Sequence, residues 1–127
     1  MRNLSWVFTL GLIACYPAGA AQMTVAELQA FCTSPSEEAK VACGFYIWGV
    51  TEGANLGSGS EQESPGKLRE KKDKLICMPE GVGKSEMQQL VTDRIARDLK
   101  KYPDDRDMPA VSFVTAVAAR EFPCGQQ

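Results

Sequence analysis

The chain has 127 residues, 44% hydrophobic and 24% charged, which bounds it to one ordered domain of ordinary globular composition. Lys and Arg number 14 against 16 Asp and Glu, a net charge of −2, so the basic excess of a nucleic-acid binder is absent. The chain contains no histidine, which excludes Ser-His-Asp triads, Cys-His nucleophile pairs, and His-ligated zinc or haem.

Residues 1–20 read as a leader. Arg2 precedes an uncharged, mostly apolar run from Leu4 to Cys15, Pro17 breaks it, and the small residues Ala18, Gly19 and Ala20 follow. That order is the layout of a secretory signal peptide, with the cut expected before Ala21. The run is far shorter than the roughly 20 residues a membrane-spanning helix needs. Leu12-Ile13-Ala14-Cys15 also resembles a lipobox, so lipidation of Cys15 is the alternative, and membrane attachment is expected only in that case. Either route places a single domain, 21–127, outside the cytoplasm. Removing or lipidating Cys15 leaves Cys32, Cys43, Cys77 and Cys124. An even set in a small exported domain predicts two disulfides, for which three connectivities are available.

Helix starts come next. Thr24-Val25-Ala26-Glu27 has the spacing of a capping box, as do Ser34-Pro35-Ser36-Glu37 and Ser85-Glu86-Met87-Gln88; Asp107 is a candidate cap before Pro109. Apolar spacing predicts helices over about 24–31 (Val25, Leu28, Phe31), 35–55 (Ala39, Cys43, Tyr46, Ile47, Val50), 86–101 (Leu90, Val91, Ile95, Leu99) and 108–121 (Val111, Val114, Val117, Ala118). No stretch alternates with period two; a short extended piece at 75–78 is the one candidate. The stretch 55–74 is Gly-, Ser- and charge-rich and reads as a flexible loop, with a helical turn near 67–72. The expected fold is all-α: a small disulfide-bonded bundle of about four helices with a long polar loop.

No residue set makes an active site. Gly81-Val82-Gly83-Lys84-Ser85 resembles the tail of a P-loop, but Met78 stands where the first glycine belongs, so it reads as a glycine turn entering a helix. Asp104-Asp105-Arg106-Asp107 lacks the spacing of a calcium loop and reads as a solvated turn. Glu37 and Glu38 fall in a first helical turn, where the helix dipole favours acids. Gly49-Val50-Thr51-Glu52-Gly53 is a G-x-x-x-G, which in a soluble helix predicts close approach of another backbone. Trp48 falls off the expected core face, beside Phe45; both packing by a neighbouring helix and service as a partner anchor remain open. No metal, no cofactor and no enzymatic activity is expected.

Cys43-Gly44-Phe45-Tyr46-Ile47-Trp48-Gly49-Val50 is followed by Ile76-Cys77-Met78-Pro79, an amphipathic helix ending in Tyr102-Pro103, then Pro109-Ala110 opening a helix that ends in Phe122-Pro123-Cys124. This order resembles the Rap/Tai family of small periplasmic immunity proteins associated with type VI secretion, over about residues 25–124; the long polar loop at 55–74 departs from it. The resemblance implies a helical, disulfide-bearing protein that binds and blocks a secreted effector protein, and a homodimer. A patch including Trp48, Tyr46, Gly53, Asn55, Asp104, Asp105 and Asp107 is the expected partner-binding surface. A small periplasmic stress chaperone of the acid-activated type is the alternative. For the disulfides, a short turn between the third and fourth helices makes them antiparallel, which brings Cys77 and Cys124 to one end of the hairpin. Cys32 and Cys43 flank a short helix-to-helix connection and pair if the first helix folds back.

Overall fold

A computed structural model describes residues 22–60 and 74–125. The expected leader, most of the polar loop and its helical turn lie outside the described residues. Four α-helices follow in order: α1 (Val25–Thr33), α2 (Glu37–Ser60), α3 (Lys84–Lys101) and α4 (Ala110–Glu121), with a 3-10 turn over Pro103–Asp107 between α3 and α4. No strand occurs among the described residues, only isolated antiparallel bridges at Thr24–Pro109 and Ile76–Pro123. The all-α expectation holds.

Both disulfides form as the chain geometry predicts, Cys32 to Cys43 and Cys77 to Cys124. The first folds the end of α1 back onto the second turn of α2. The second closes the α3–α4 hairpin. It is flanked by a bond from the Cys77 N–H to the Phe122 carbonyl at 2.8 Å and by the Ile76–Pro123 bridge, so the extended piece at 75–78 is real.

The first capping box is complete. Thr24 Oγ1 accepts from the Glu27 N–H at 3.2 Å, and the Thr24 N–H donates to Glu27 Oε2 at 2.7 Å. The other caps differ from expectation. Ser34 is occupied as the C-cap of α1, its N–H donating to the Phe31 carbonyl, so α2 starts two residues later and Ser36 Oγ accepts from the Ala39 N–H at 3.3 Å. α3 starts two residues earlier than Ser85 implies. Glu86 Oε2 reaches back to the Gly83 N–H at 3.0 Å, and Gly83 has no side chain to return the bond. Asp107 does not cap α4. The Ala110 N–H donates to the Met23 carbonyl and the Val25 N–H to the Met108 carbonyl, so the start of the domain supplies the partner instead.

The core takes Val25 and Leu28 from α1, Cys43 and Ile47 from α2, Ile76, then Met87, Val91 and Ile95 from α3, and Ala110, Phe113, Val114, Val117 and Ala118 from α4. Thr51 is fully buried, its hydroxyl donating to the Ile47 carbonyl one turn back at 2.9 Å. Phe31 and Val111, expected in the core, stay exposed. The loop expected from Asn55 begins later, because α2 continues to Ser60. Asn55 Oδ1 accepts from the Ile76 N–H at 2.9 Å, a contact 21 residues away that holds the α2 turn around it.

Candidate functional site

No group of His, Cys, Asp or Glu among the described residues is arranged to hold a metal ion. No helix among them is long and apolar enough to cross a membrane.

The expected partner-binding residues fall in two places, α2 and the 3-10 turn. Trp48 and Tyr46 are half-buried and pack against the core; burial pushes the Tyr46 hydroxyl pKa up. Asn55 is half-buried and holds Ile76. Gly53 is exposed on α2, and nothing lies within 4 Å of where its Cβ would be. Asp104, Asp105 and Asp107 sit in the 3-10 turn, which packs against α1 and α3. Asn55 lies at the Pro123 end of α4, through Ile76, and Asp107 precedes its start. A 12-residue helix, about 18 Å, lies between those ends. The structure therefore divides the expected patch into an acidic corner and an α2 face.

The acidic corner has an aromatic anchor that the sequence reading assigned to helix closure. Tyr102 is 51% exposed, with the Lys101 ammonium 5.1 Å from its ring centroid, and Met108 is exposed on the far side of the turn. Asp104 and Asp107 are exposed, Asp105 is half-buried, and no ion pair joins any of them to a Lys or Arg among the described residues. Three carboxylates and the exposed basic side chains of Lys100, Lys101 and Arg106 thus surround the exposed ring, a charged rim about an apolar contact point.

The outward α2 face exposes large apolar side chains, with the exposed Glu52 among them. Phe45 is 61% and Leu56 71% exposed, and Val41 lies on the same side. Gly49 and Gly53 separate Phe45 from Leu56, and neither has an atom within 4 Å of its Cβ position. The G-x-x-x-G thus does not mark a backbone approach within the described chain. The crowded glycine is Gly44, whose Cβ position is 2.6 Å from the side-chain Oε1 of Gln88 on α3. Beside this face, a shallow groove between α2 and α4 is walled by Phe45, Tyr46, Val111 and Thr115, with no charged side chain in its lining. Lys84 at the start of α3 places its ammonium 3.7 Å from the Phe45 ring centroid. The sequence signal for this face was available: with Cys43 and Ile47 inward at about 100° per residue, Phe45, Gly49 and Leu56 point the opposite way.

The family model of Rap1a immunity proteins matches residues 24–124, which covers all four helices and all four paired cysteines. No curated protein and no solved structure shows a significant match.

Proposed function

From the premise that the chain belongs to the Rap1a immunity protein family, we propose that it neutralises a secreted effector toxin by binding it and blocking it sterically. The family match over residues 24–124 is the observation that carries this reading. The protein acts without catalysis. It is exported by its leader and works in the periplasm, where its two disulfides persist. Its target is an effector of type VI secretion.

The acidic corner is the proposed effector contact. Tyr102 supplies a rigid aromatic anchor, while Asp104, Asp105 and Asp107 supply charged contacts at its rim. Trp48 and Tyr46 pack against the core, and Asn55 and Gly53 lie outside this surface.

The test uses the purified oxidised domain as bait for the secreted proteins of its own source. Captured proteins are identified by mass and each is re-expressed and titrated alone. One effector is expected to bind, and Tyr102→Ala to weaken it at least tenfold, the loss of a hot-spot aromatic. Binding unaffected by Tyr102→Ala and by Asp104→Asn with Asp107→Asn moves the contact elsewhere. Absence of any effector that binds ends the reading.

A further inference from the structure

We propose that Cys32 is a site of reversible modification by a small anionic thiol, which opens the Cys32–Cys43 disulfide through the groove between α1, α2 and α3. The two sulfurs of that bond face different surroundings. Cys43 is 1% exposed in the core, while Cys32 is half-buried and lines the groove with Lys40 and Val41 of α2 and Lys84 of α3. The groove holds about 470 Å³, within the roughly 300–1,000 Å³ of small-molecule sites. A thiolate entering it reaches Cys32 and not Cys43.

Charge sets the class of thiol. Glu37 is the carboxylate among the described lining residues, and it is paired with Lys40 at 2.8 Å. Lys84 has no carboxylate partner among the described residues, and its ammonium rests 3.7 Å from the Phe45 ring centroid. The lining thus carries two ammonium groups against one carboxylate. That balance draws in a thiolate and any carboxylates attached to it.

The exchange balances without a further reactant. The thiolate attacks Cys32 Sγ, and a new S–S bond forms as the Cys32–Cys43 bond breaks. Cys43 leaves with the electron pair and takes up the proton that the thiol gave off. Burial favours the neutral thiol, which suits an apolar site as a small hydrophobe. A protonated Cys43 is also a weak nucleophile, so the original bond re-forms slowly and the adduct persists. The adduct keeps the core and loosens one turn. The buried residues of α1 are Val25 and Leu28, so its end at Cys32 and Thr33 loses its anchor, while the Val25 N–H still donates to the Met108 carbonyl.

The test incubates the oxidised mature chain with reduced glutathione, quenches it in acid and maps the peptides by mass. One glutathione on Cys32 is expected, with Cys77–Cys124 intact. Lys84→Glu places an acid in a first helical turn, where the dipole favours it, and should slow adduct formation several-fold. β-Mercaptoethanol, whose thiolate carries no carboxylates, should be slowed far less, a difference that a loosened fold does not produce. Two further chains test access directly. With glutathione disulfide, Cys43→Ser should take up glutathione at Cys32, and Cys32→Ser should leave Cys43 unmodified while folded. A wild-type chain that gains no adduct before it unfolds overturns the proposal, and so does an adduct formed first on Cys43, Cys77 or Cys124. Equal slowing of both thiols by Lys84→Glu, or equal labelling of Cys43→Ser and Cys32→Ser, overturns it too. The outcome is independent of the effector reading, because Tyr102 and the three aspartates lie outside the groove.

Discussion

Thr24 and Glu27 illustrate how a single exchange of bonds sets a helix start. The Glu27 carboxylate accepts from the Thr24 backbone N–H and, more weakly, from its hydroxyl, and both hold its pKa below the ordinary value. At Glu38 the Ser36 hydroxyl does the same. A lowered carboxylate pKa contributes stability that is present above the ordinary value and lost as pH falls through the lowered one. The first turns of α1 and α2 should therefore loosen in acid while the disulfides hold. Protection of the Glu27 and Ala39 amides, measured against the intrinsic exchange rate at each pH, should fall on going from neutral to strongly acidic solution, and Glu27→Gln should flatten the response at α1. Thr24→Ala should cost about 1 kcal/mol at neutral pH, read from a denaturation midpoint. The glycines of α2 separate by environment. Gly49→Ala gains about 1 kcal/mol of helix propensity with nothing to strike, and should raise the stability of the folded chain. Gly44→Ala should gain nothing. Its Cβ displaces Gln88, whose Nε2 donates to the Lys40 carbonyl at 3.0 Å, a bond worth about 1 kcal/mol. In a Gln88→Ala background the Gly44→Ala change should become stabilising.

At the scale of elements, the two crosslinks are unequal. Cys77–Cys124 spans 47 residues and encloses α3 and α4, while Cys32–Cys43 spans 11. By chain entropy alone the longer loop is worth about 4 kcal/mol and the shorter about 3. The Cys77→Ser, Cys124→Ser chain should accordingly unfold at lower denaturant than the Cys32→Ser, Cys43→Ser chain. The opposite order would mean that the buried Cys43 sulfur contributes more by packing than by closing its loop. Both pairings were legible in the sequence, because hairpin geometry leaves Cys77 and Cys124 at one end. The Thr24–Glu27 box was legible because every atom in it is local. Ser34 and Ser85 misled for a shared reason. Several residues near each start can close the turn, and the choice falls to neighbours: the end of α1 claims Ser34, and Glu86 claims Gly83. The extension of α2 past Asn55 was hidden, because its partner Ile76 is remote in sequence. Phe113 was missed and Val111 misplaced for a related reason. The start of α4 is fixed by residues 23–25, a contact that no helical periodicity encodes.

For the whole molecule, the sequence supplied the residue types of the proposed contact surface but not their grouping. Asp104, Asp105 and Asp107 were singled out correctly as a turn. Only the fold shows that Tyr102 and Met108 flank them in the open and that α4 separates them from Asn55. If the acidic corner steers the encounter, Asp104→Asn with Asp107→Asn should slow association several-fold at low salt. The difference should shrink at high salt, where a Debye length of about 3 Å screens the turn. Stopped-flow mixing with the effector reads both, and an equal loss at all ionic strengths would place the aspartates in the contact itself. The central claim is protection. Viability is counted in cells directing the identified effector to their periplasm, with and without this chain exported beside it. Full protection by the wild-type chain, lost with Tyr102→Ala while the variant remains folded and oxidised, is the expected result. Killing that proceeds unchanged in the presence of exported, correctly disulfide-bonded protein would contradict the account.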